Sequence, residues 1–225
     1  ALDDGWDRKA SLWEIERSVF PRGFEPLQAA LKPMRTGLGL WISPCSGYGH
    51  ANWLAAHRGY KKNNWDWLLC MSDPNYRSDM VKAVTELVKT NNVNYVKFDA
   101  FCAPCDARGH DHHLTDNFAK EANTDAYLEL QEALRRTQPR VFVNLTTGTW
   151  LSPWWLRYAD SVWDQVYDGW SPAITPTPER SYSQITDRDG VFRKRCLENP
   201  WFPLEALENL GIGTQNYRFI DEQIM

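Results

Sequence analysis

Tyr95-Val96-Lys97-Phe98-Asp99 reads as a short strand, apolar enough to be buried on both faces, that ends in a carboxylate. Strands of that kind belong to parallel sheets, which crossover helices cover on both sides. Side chains alternate along a strand, so Lys97 and Asp99 share a face. A carboxylate that just escapes the core at such a strand end is a candidate nucleophile. The plainer alternative is an aspartate that caps the following loop.

Outward from this strand, helix and strand patterns alternate. A helix is expected over about Glu25 to Arg35, with Pro26 in its first turn and Leu27, Ala30, Leu31 and Met34 on one face. Pro33 argues for a kink or an early stop, and Gly37 suits the position just past the helix end. A strand follows at Leu38 to Ser43, then a long loop from about Pro44 to Pro74, rich in Gly, Asn, His and Trp. The second helix is expected over about Arg77 to Lys89, with Met80, Val81, Val84, Leu87 and Val88 inward. The third spans about Ala122 to Thr137, with Tyr127, Leu130 and Leu134 on one face, and Gln138-Pro139 ends it. Strands at Arg140 to Leu145 and Arg157 to Trp163, a Pro-rich loop from Pro172 to Pro178, a helix of about Glu179 to Arg195 and a segment from Leu204 to Leu210 complete the order. This alternation is the pattern of an α/β fold with a parallel sheet. No linker divides residues 1–225, which read as one domain.

Composition removes several classes of function. The 225 residues are 43% hydrophobic and 24% charged, enough for a real core. A net charge of -4 gives no footprint for nucleic acid, and no apolar run reaches the length of a membrane span. Five cysteines, an odd number in a chain too large to need stapling, do not indicate a disulfide framework. Twelve tryptophans fit either a Trp-rich core or a cleft whose aromatic faces stack on sugar rings. The first residues carry no initiator Met and no leader, so the start reads as an excision and the compartment is unreadable from it.

Four strand ends carry polar groups: Asp3-Asp4, Lys97 with Asp99, the Thr146 to Trp150 loop, and Asp164 with Asp168. In a (β/α)8 barrel these would face one mouth. Two carboxylates across such a mouth are what glycoside hydrolysis requires, with roughly 5–5.5 Å between them in a retaining enzyme. Asp168, between Tyr167 and Trp170, has the apolar setting that suits the acid.

The ordered set of motifs resembles the melibiase-type α-galactosidases and their α-N-acetylgalactosaminidase relatives. It comprises Leu2-Asp3-Asp4-Gly5-Trp6, Phe20-Pro21-Arg22-Gly23 followed by Gly37-Leu38-Gly39-Leu40-Trp41, and Val96-Lys97-Phe98-Asp99. Trp150-Leu151-Ser152-Pro153-Trp154-Trp155, Tyr158 to Trp163, Arg188-Asp189 and Pro203-Leu204 with Leu207 then follow in order. The resemblance implies an incomplete (β/α)8 TIM barrel holding roughly strands 2–7. It implies Asp99 as nucleophile and Asp168 as general acid/base, and Asp3 and Asp4 on the 4- and 6-hydroxyls of a galactose-like ring. Lys97 would hold ring hydroxyls, and Trp6, Trp41, Thr147, Gly148, Trp150 and Asp164 would complete the substrate contacts. The expected reaction is removal of terminal α-galactosyl-type residues by a retaining mechanism, without cofactor or metal. The expected partner is a carbohydrate, with neither nucleic acid nor membrane, in an extracellular or periplasmic setting.

One departure bears on this. The family carries an arginine four residues before the acid; this chain has Asp164. Losing a guanidinium fork removes a hydroxyl contact, so a silent sugar-binding barrel is the alternative, and Asp160 and Asp164 are minor candidates for the acid. A competing cluster follows the Asp99 strand: Cys102 and Cys105 in a C-x2-C spacing, then His110, His112 and His113. It could brace the loop with zinc or carry thiol redox chemistry; the plainer reading is a polar loop.

Overall fold

The computed structural model describes residues 1–65, 67–163, 193–198 and 203–208. The chain forms two compact units, Ala1–Thr149 and Trp150–Met225.

The first unit is built on three parallel strands, β1 (Leu38–Ile42), β2 (Val93–Phe98) and β3 (Phe142–Leu145), in that spatial order. The register pairs Trp41 with Lys97 and Lys97 with Asn144, then Ile42 with Phe98 and Phe98 with Leu145. Every residue of β1 is buried. Leu2 adds one parallel bridge on the outer side of β1: its N–H donates to the Gly39 carbonyl (2.8 Å) and its carbonyl accepts from Trp41 N–H (2.9 Å). That bridge brings Asp3 and Asp4 to the same end of the sheet as Asp99.

The helices differ from the sequence expectation mainly at their starts. α1 (Glu25–Leu31) passes into a 3-10 turn at Lys32–Met34, the early stop that Pro33 imposes. Its expected apolar face is not buried: Leu27 and Leu31 are half-covered, and Ala30 and Met34 are exposed. Arg35, not Gly37, takes the left-handed cap (φ 53°). Gly37 instead leaves room for the Asn94 side chain, whose amide nitrogen would lie 1.8 Å from a Cβ there. The long loop contains a helix of its own, α2 (His50–Arg58), whose short buried face of His50, Ala51 and Leu54 gives little periodicity to read.

α3 (Pro74–Thr90) begins three residues before the expected Arg77 because Pro74 sits at its first position and Asp73 caps it. Met80, Val84, Leu87 and Val88 are buried as expected, joined by Tyr76, while Val81 is half-exposed. α4 (Asp116–Thr137) begins six residues before the expected Ala122; its first turn is largely exposed, Phe118 included, with Ala119 buried, so no apolar stripe marks it.

In the second unit, β4 (Ser161–Trp163) runs parallel to β5 (Leu207–Glu208). The strand expected from Arg157 is shorter because Pro153–Arg157 forms a 3-10 turn, capped by Ser152 accepting from Trp154 N–H. Arg193–Glu198 is a π-type turn, and the remainder of the helix expected over Glu179 to Arg195 lies outside the described residues. Among the described residues no helix is long and apolar enough to cross a membrane.

The Asp73 cap is a direct test of how α3 is held. Oδ1 accepts from Asn75 N–H (3.0 Å) and Oδ2 from Lys61 N–H (2.7 Å), on a side chain that is buried. Asp73→Ala strands both donors and should destabilise the protein by about 2 kcal/mol, read as a shift in the urea midpoint with unchanged slope.

Candidate active site

Asp99 follows β2 directly, and its N–H donates to the Ile42 carbonyl (3.0 Å), so the β1–β2 ladder runs up to it. Three donors hold its carboxylate and a fourth is shared, because the one proton of the Thr146 hydroxyl also faces the Phe98 carbonyl at 2.8 Å. Trp41 Nε1 (3.0 Å) and the Tyr48 hydroxyl (3.2 Å) reach Oδ2; Ala100 N–H (2.8 Å) and the Thr146 hydroxyl (3.1 Å) reach Oδ1. They come from β1, from the loop after β1, from the chain's own next residue and from the end of β3. Ala100 itself takes a left-handed conformation (φ 56°), uncommon for alanine, which turns the chain sharply away just past Asp99.

Lys97 sits two residues back on the same strand, as the alternation requires, and its Nζ lies 2.9 Å from Asp3 Oδ2. Burial pushes the Asp3 carboxyl up. The Lys97 hydrogen bond, the Asp4 amide bond to Oδ1 (2.9 Å) and the Lys97 charge outweigh it and leave the group below its ordinary value of 3.8. Asp4 is paired with Lys9, a cation the sequence reading did not single out. Lys9 Nζ also lies 3.4 Å from Asp7 Oδ1 and 3.5 Å from His50 Nε2, about 6.0 Å from the Trp41 ring centroid. Behind it, Asp7 and His50 form a pair with no exposed side-chain surface, Oδ2 to Nε2 2.7 Å, and His50 Nδ1 faces the Ser11 carbonyl (3.2 Å).

Thus Asp3, Asp4, Lys97 and Asp99 are brought to one end of one sheet. Trp6 and Trp41, expected to contact substrate, are 2% and 1% exposed and offer no face for a ring. Trp6 Nε1 donates to the Trp41 carbonyl (2.9 Å), and Trp41 works through its own N–H on Asp99. Exposed aromatic surface beside Asp99 comes from Tyr48, 43% exposed, which stands edge-on to buried Trp41 (4.9 Å) and to exposed Trp67 (5.7 Å). Thr147 and Gly148 are exposed on the loop after β3, where Thr147 accepts from Phe101 N–H (3.1 Å). Trp150, in the second unit, is exposed with its ring against Trp155 (4.8 Å). Asp164 and Asp168 lie outside the described residues.

Tyr48 and Thr146 are the residues sequence reading missed as carboxylate partners. Thr146 was accessible to it: once Phe98 pairs with Leu145, the next residue on β3 must lie beside Asp99. Tyr48 left no such signal, because a loop of positive-φ residues, Ser46 and Tyr48 among them, carries it there.

A separate group comprises Cys70, Cys105, His110 and His112, one donor atom of each within 4.8 Å of the others. Of the expected C-x2-C pair only Cys105 belongs to it. Cys102 is drawn away, its Sγ toward the Pro104 carbonyl (3.5 Å) and its N–H onto Cys45 Sγ (3.2 Å).

No protein-family model and no curated protein matches the chain. Solved structures do. An α-galactosidase from Lactobacillus brevis is similar with a TM-score of 0.52 at 19% identity, over 71% of this chain and 24% of that one. The GH36 α-galactosidase AgaB from Geobacillus stearothermophilus gives 0.64 at 14% identity, over 91% and 28%. A variant of AgaA from the same organism, in complex with stachyose, gives 0.60 at 15% identity, over 91% and 29%. The chain therefore spans less than a third of the length of these structures. At such identities the likeness is one of fold alone: an α/β arrangement with a parallel sheet, consistent with part of the TIM barrel in those structures. It gives no support to the narrower melibiase-type branch that the motifs resemble.

The Asp7–His50 pair carries a pH signature. Burial pushes the Asp7 carboxyl up, but the His50 hydrogen bond, then the His50 and Lys9 charges, hold it below 3.8. A depressed folded pKa stabilises the fold fully at pH values above the unfolded one and loses that stabilisation as pH falls through the folded one. Asp7→Asn should cost about 3 kcal/mol at neutral pH. The gap to the parent protein should narrow in denaturant titrations below about pH 4.

Proposed function

We propose that this chain is the nucleophile-bearing part of a retaining, exo-acting α-galactosidase-like glycoside hydrolase. The observation that carries the reading is the Asp99 carboxylate, held by Trp41, Tyr48 and Ala100 with the shared Thr146 hydroxyl alongside, at a strand end beside the Lys97–Asp3 pair. Asp99 attacks the anomeric carbon as the glycosidic C–O bond breaks, and Asp168 gives its proton to the leaving oxygen. Asp168 then takes a proton from water as that water displaces the Asp99 ester, and the sugar leaves with its configuration retained. Lys97 and Asp3 bind ring hydroxyls, Asp4 and Lys9 extend that polar wall, and Tyr48 supplies the aromatic face. A carbohydrate ligand is supported by the likeness in fold to an AgaA variant that is in complex with stachyose.

The second reading, a sugar-binding barrel without turnover, rests on Asp164 standing where the resemblance expects an arginine. Kinetics on an aryl α-galactoside and calorimetry with stachyose separate the two, using the whole protein that carries this chain. Hydrolysis with the α-anomer released first, lost by at least about 10³-fold in Asp99→Asn, is the expected result. Binding with no turnover selects the silent barrel; turnover indifferent to Asp99 removes the proposal. Tyr48→Phe should lower kcat about tenfold, the worth of one hydrogen bond to a charged group, and Thr146→Val by less, since its hydroxyl is shared with the Phe98 carbonyl, each with a smaller change in KM.

A further inference from the structure

Four side chains that the glycosidase reading does not use converge between the loop ahead of α3 and the loop joining β2 to α4. Cys70 comes from the first; Cys105, His110 and His112 come from the second. Two thiols and two imidazoles form the donor set of a tetrahedral zinc site, too soft for calcium or magnesium. The edges of such a tetrahedron are about 3.3–3.8 Å for ordinary Zn–N and Zn–S bond lengths. Cys105 Sγ and His110 Nδ1 already stand 3.4 Å apart, and the whole group of donor atoms lies within 4.8 Å.

The orientation of His112 is the more telling observation. Its Nδ1 lies 2.8 Å from the His113 carbonyl, an acceptor, so that nitrogen carries the proton. Its Nε2 is then left with a lone pair, buried and with no hydrogen-bond partner among the described residues. An imidazole fixed through one nitrogen by a carbonyl, with the other bare toward thiols, is how a metal-ligating histidine is held. Without a metal, a buried acceptor goes unsatisfied at a cost of about 1–3 kcal/mol.

The surroundings are built for the group as well. Asn123, fully buried on α4, accepts Ser72 N–H at Oδ1 (2.8 Å) beside Cys70 Sγ (3.3 Å), and donates from Nδ2 to the Ala103 carbonyl (2.8 Å). One amide thus ties together the two loops that supply the ligands. Cys70 and Cys105 are buried against Ala119 of the same helix.

We propose that Cys70, Cys105, His110 and His112 bind one zinc ion in a closed structural site that pins the loop after Asp99. Four protein ligands leave no open coordination position for catalysis. On binding, both thiols release their protons to solvent and both imidazoles stay neutral. The two thiolate charges cancel that of the ion, which is what makes the site tolerable in a buried setting. The site lies outside the glycosidase reading and stands or falls independently of it.

Metal analysis decides the matter. Purified protein should hold one zinc per chain, lose it to a strong chelator, and regain it from zinc sulfate. Cobalt(II) chloride added to the stripped protein should give the intense visible bands and near-ultraviolet thiolate charge-transfer of a tetrahedral S2N2 site. That readout needs no variant and holds even if variants fail to fold. Cys70→Ser and His112→Ala should lose the metal, whereas Cys102→Ser should keep it. Trypsin should cut after Arg108, inside the loop, at least about tenfold faster once the metal is removed. The proposal is overturned by protein that takes up neither ion after reduction. Zinc retained undiminished in Cys70→Ser, or a Cys70–Cys105 disulfide in protein that binds no metal when reduced, overturns it equally.

Discussion

The register between β1, β2 and β3 is the constraint on which the site depends. Ile42, Phe98 and Leu145 lie side by side, so the three strands end at one level and their next residues emerge together. Asp99 leaves β2 there, Thr146 leaves β3 beside it, and Trp41 of β1 reaches it from two residues below, level with Lys97. Slipping any pair by one residue would turn its side chains to the opposite face. Trp41 would then lose Asp99 and Lys97 would lose Asp3. The same alternation that buries Val96 and Phe98 turns Lys97 and Asp99 to a common side. Core packing and site geometry are one requirement, met once.

The polar groups at this end are arranged so that charge is seldom left alone. Asp3 faces Lys97, Asp4 faces Lys9, and Asp7 faces both Lys9 and His50. The depth differs from pair to pair. Asp7 and His50 are sealed under Trp13, whose ring lies 4.6 Å from that of His50, while Asp3 and Asp4 remain open to solvent. A buried pair contributes little net stability compared with apolar residues of its size, and breaking it is costly. Its value here is in fixing Lys9, which stands between the sealed pair and exposed Asp4. A ligand reaching Asp3 and Asp4 would meet acids already oriented by their lysines, with little ordering left to do.

Much of this frame was legible in the sequence because it rests on short-range rules. The apolar run ending in Asp99 and the strand at Leu38 follow from side-chain alternation alone, and both are where they were expected. The start of α3 was legible too, in Asp73-Pro74, but hydrophobic periodicity points to the later Arg77. Hidden were the contributions that depend on tertiary closure. Tyr48 reaches Asp99 across 51 residues on an irregular loop. Cys70 joins Cys105 and His110 from a different loop, and the nearer Cys102 offered a better sequence motif while pointing elsewhere. The tryptophans divide between the two readings that composition allowed. Trp6, Trp13, Trp41 and Trp155 are core, and Trp65, Trp67, Trp150 and Trp154 are exposed, a division that follows the fold and not the local pattern.

The cysteine–histidine group and the carboxylate site are mechanically adjacent through one short run of chain. Between Asp99 and Cys105 lie Ala100, in its strained conformation, and Phe101, whose N–H donates to the Thr147 carbonyl. Gly148 then passes so close that a Cβ on it would lie 1.7 Å from the Phe101 carbonyl oxygen, and its φ of +93° excludes other residues besides. The loops after β2 and β3 therefore lock at Phe101, with no room for a side chain between them. Ala100 is held in a left-handed turn because the chain beyond it is anchored, since otherwise the strain would relax and redirect the loop that follows Asp99. Phe101, stacked on Tyr127 of α4 at 4.4 Å, is one anchor, and Asn123 holding the Ala103 carbonyl is a second. A metal at Cys105, His110 and His112 supplies the third, on the far side of the same loop.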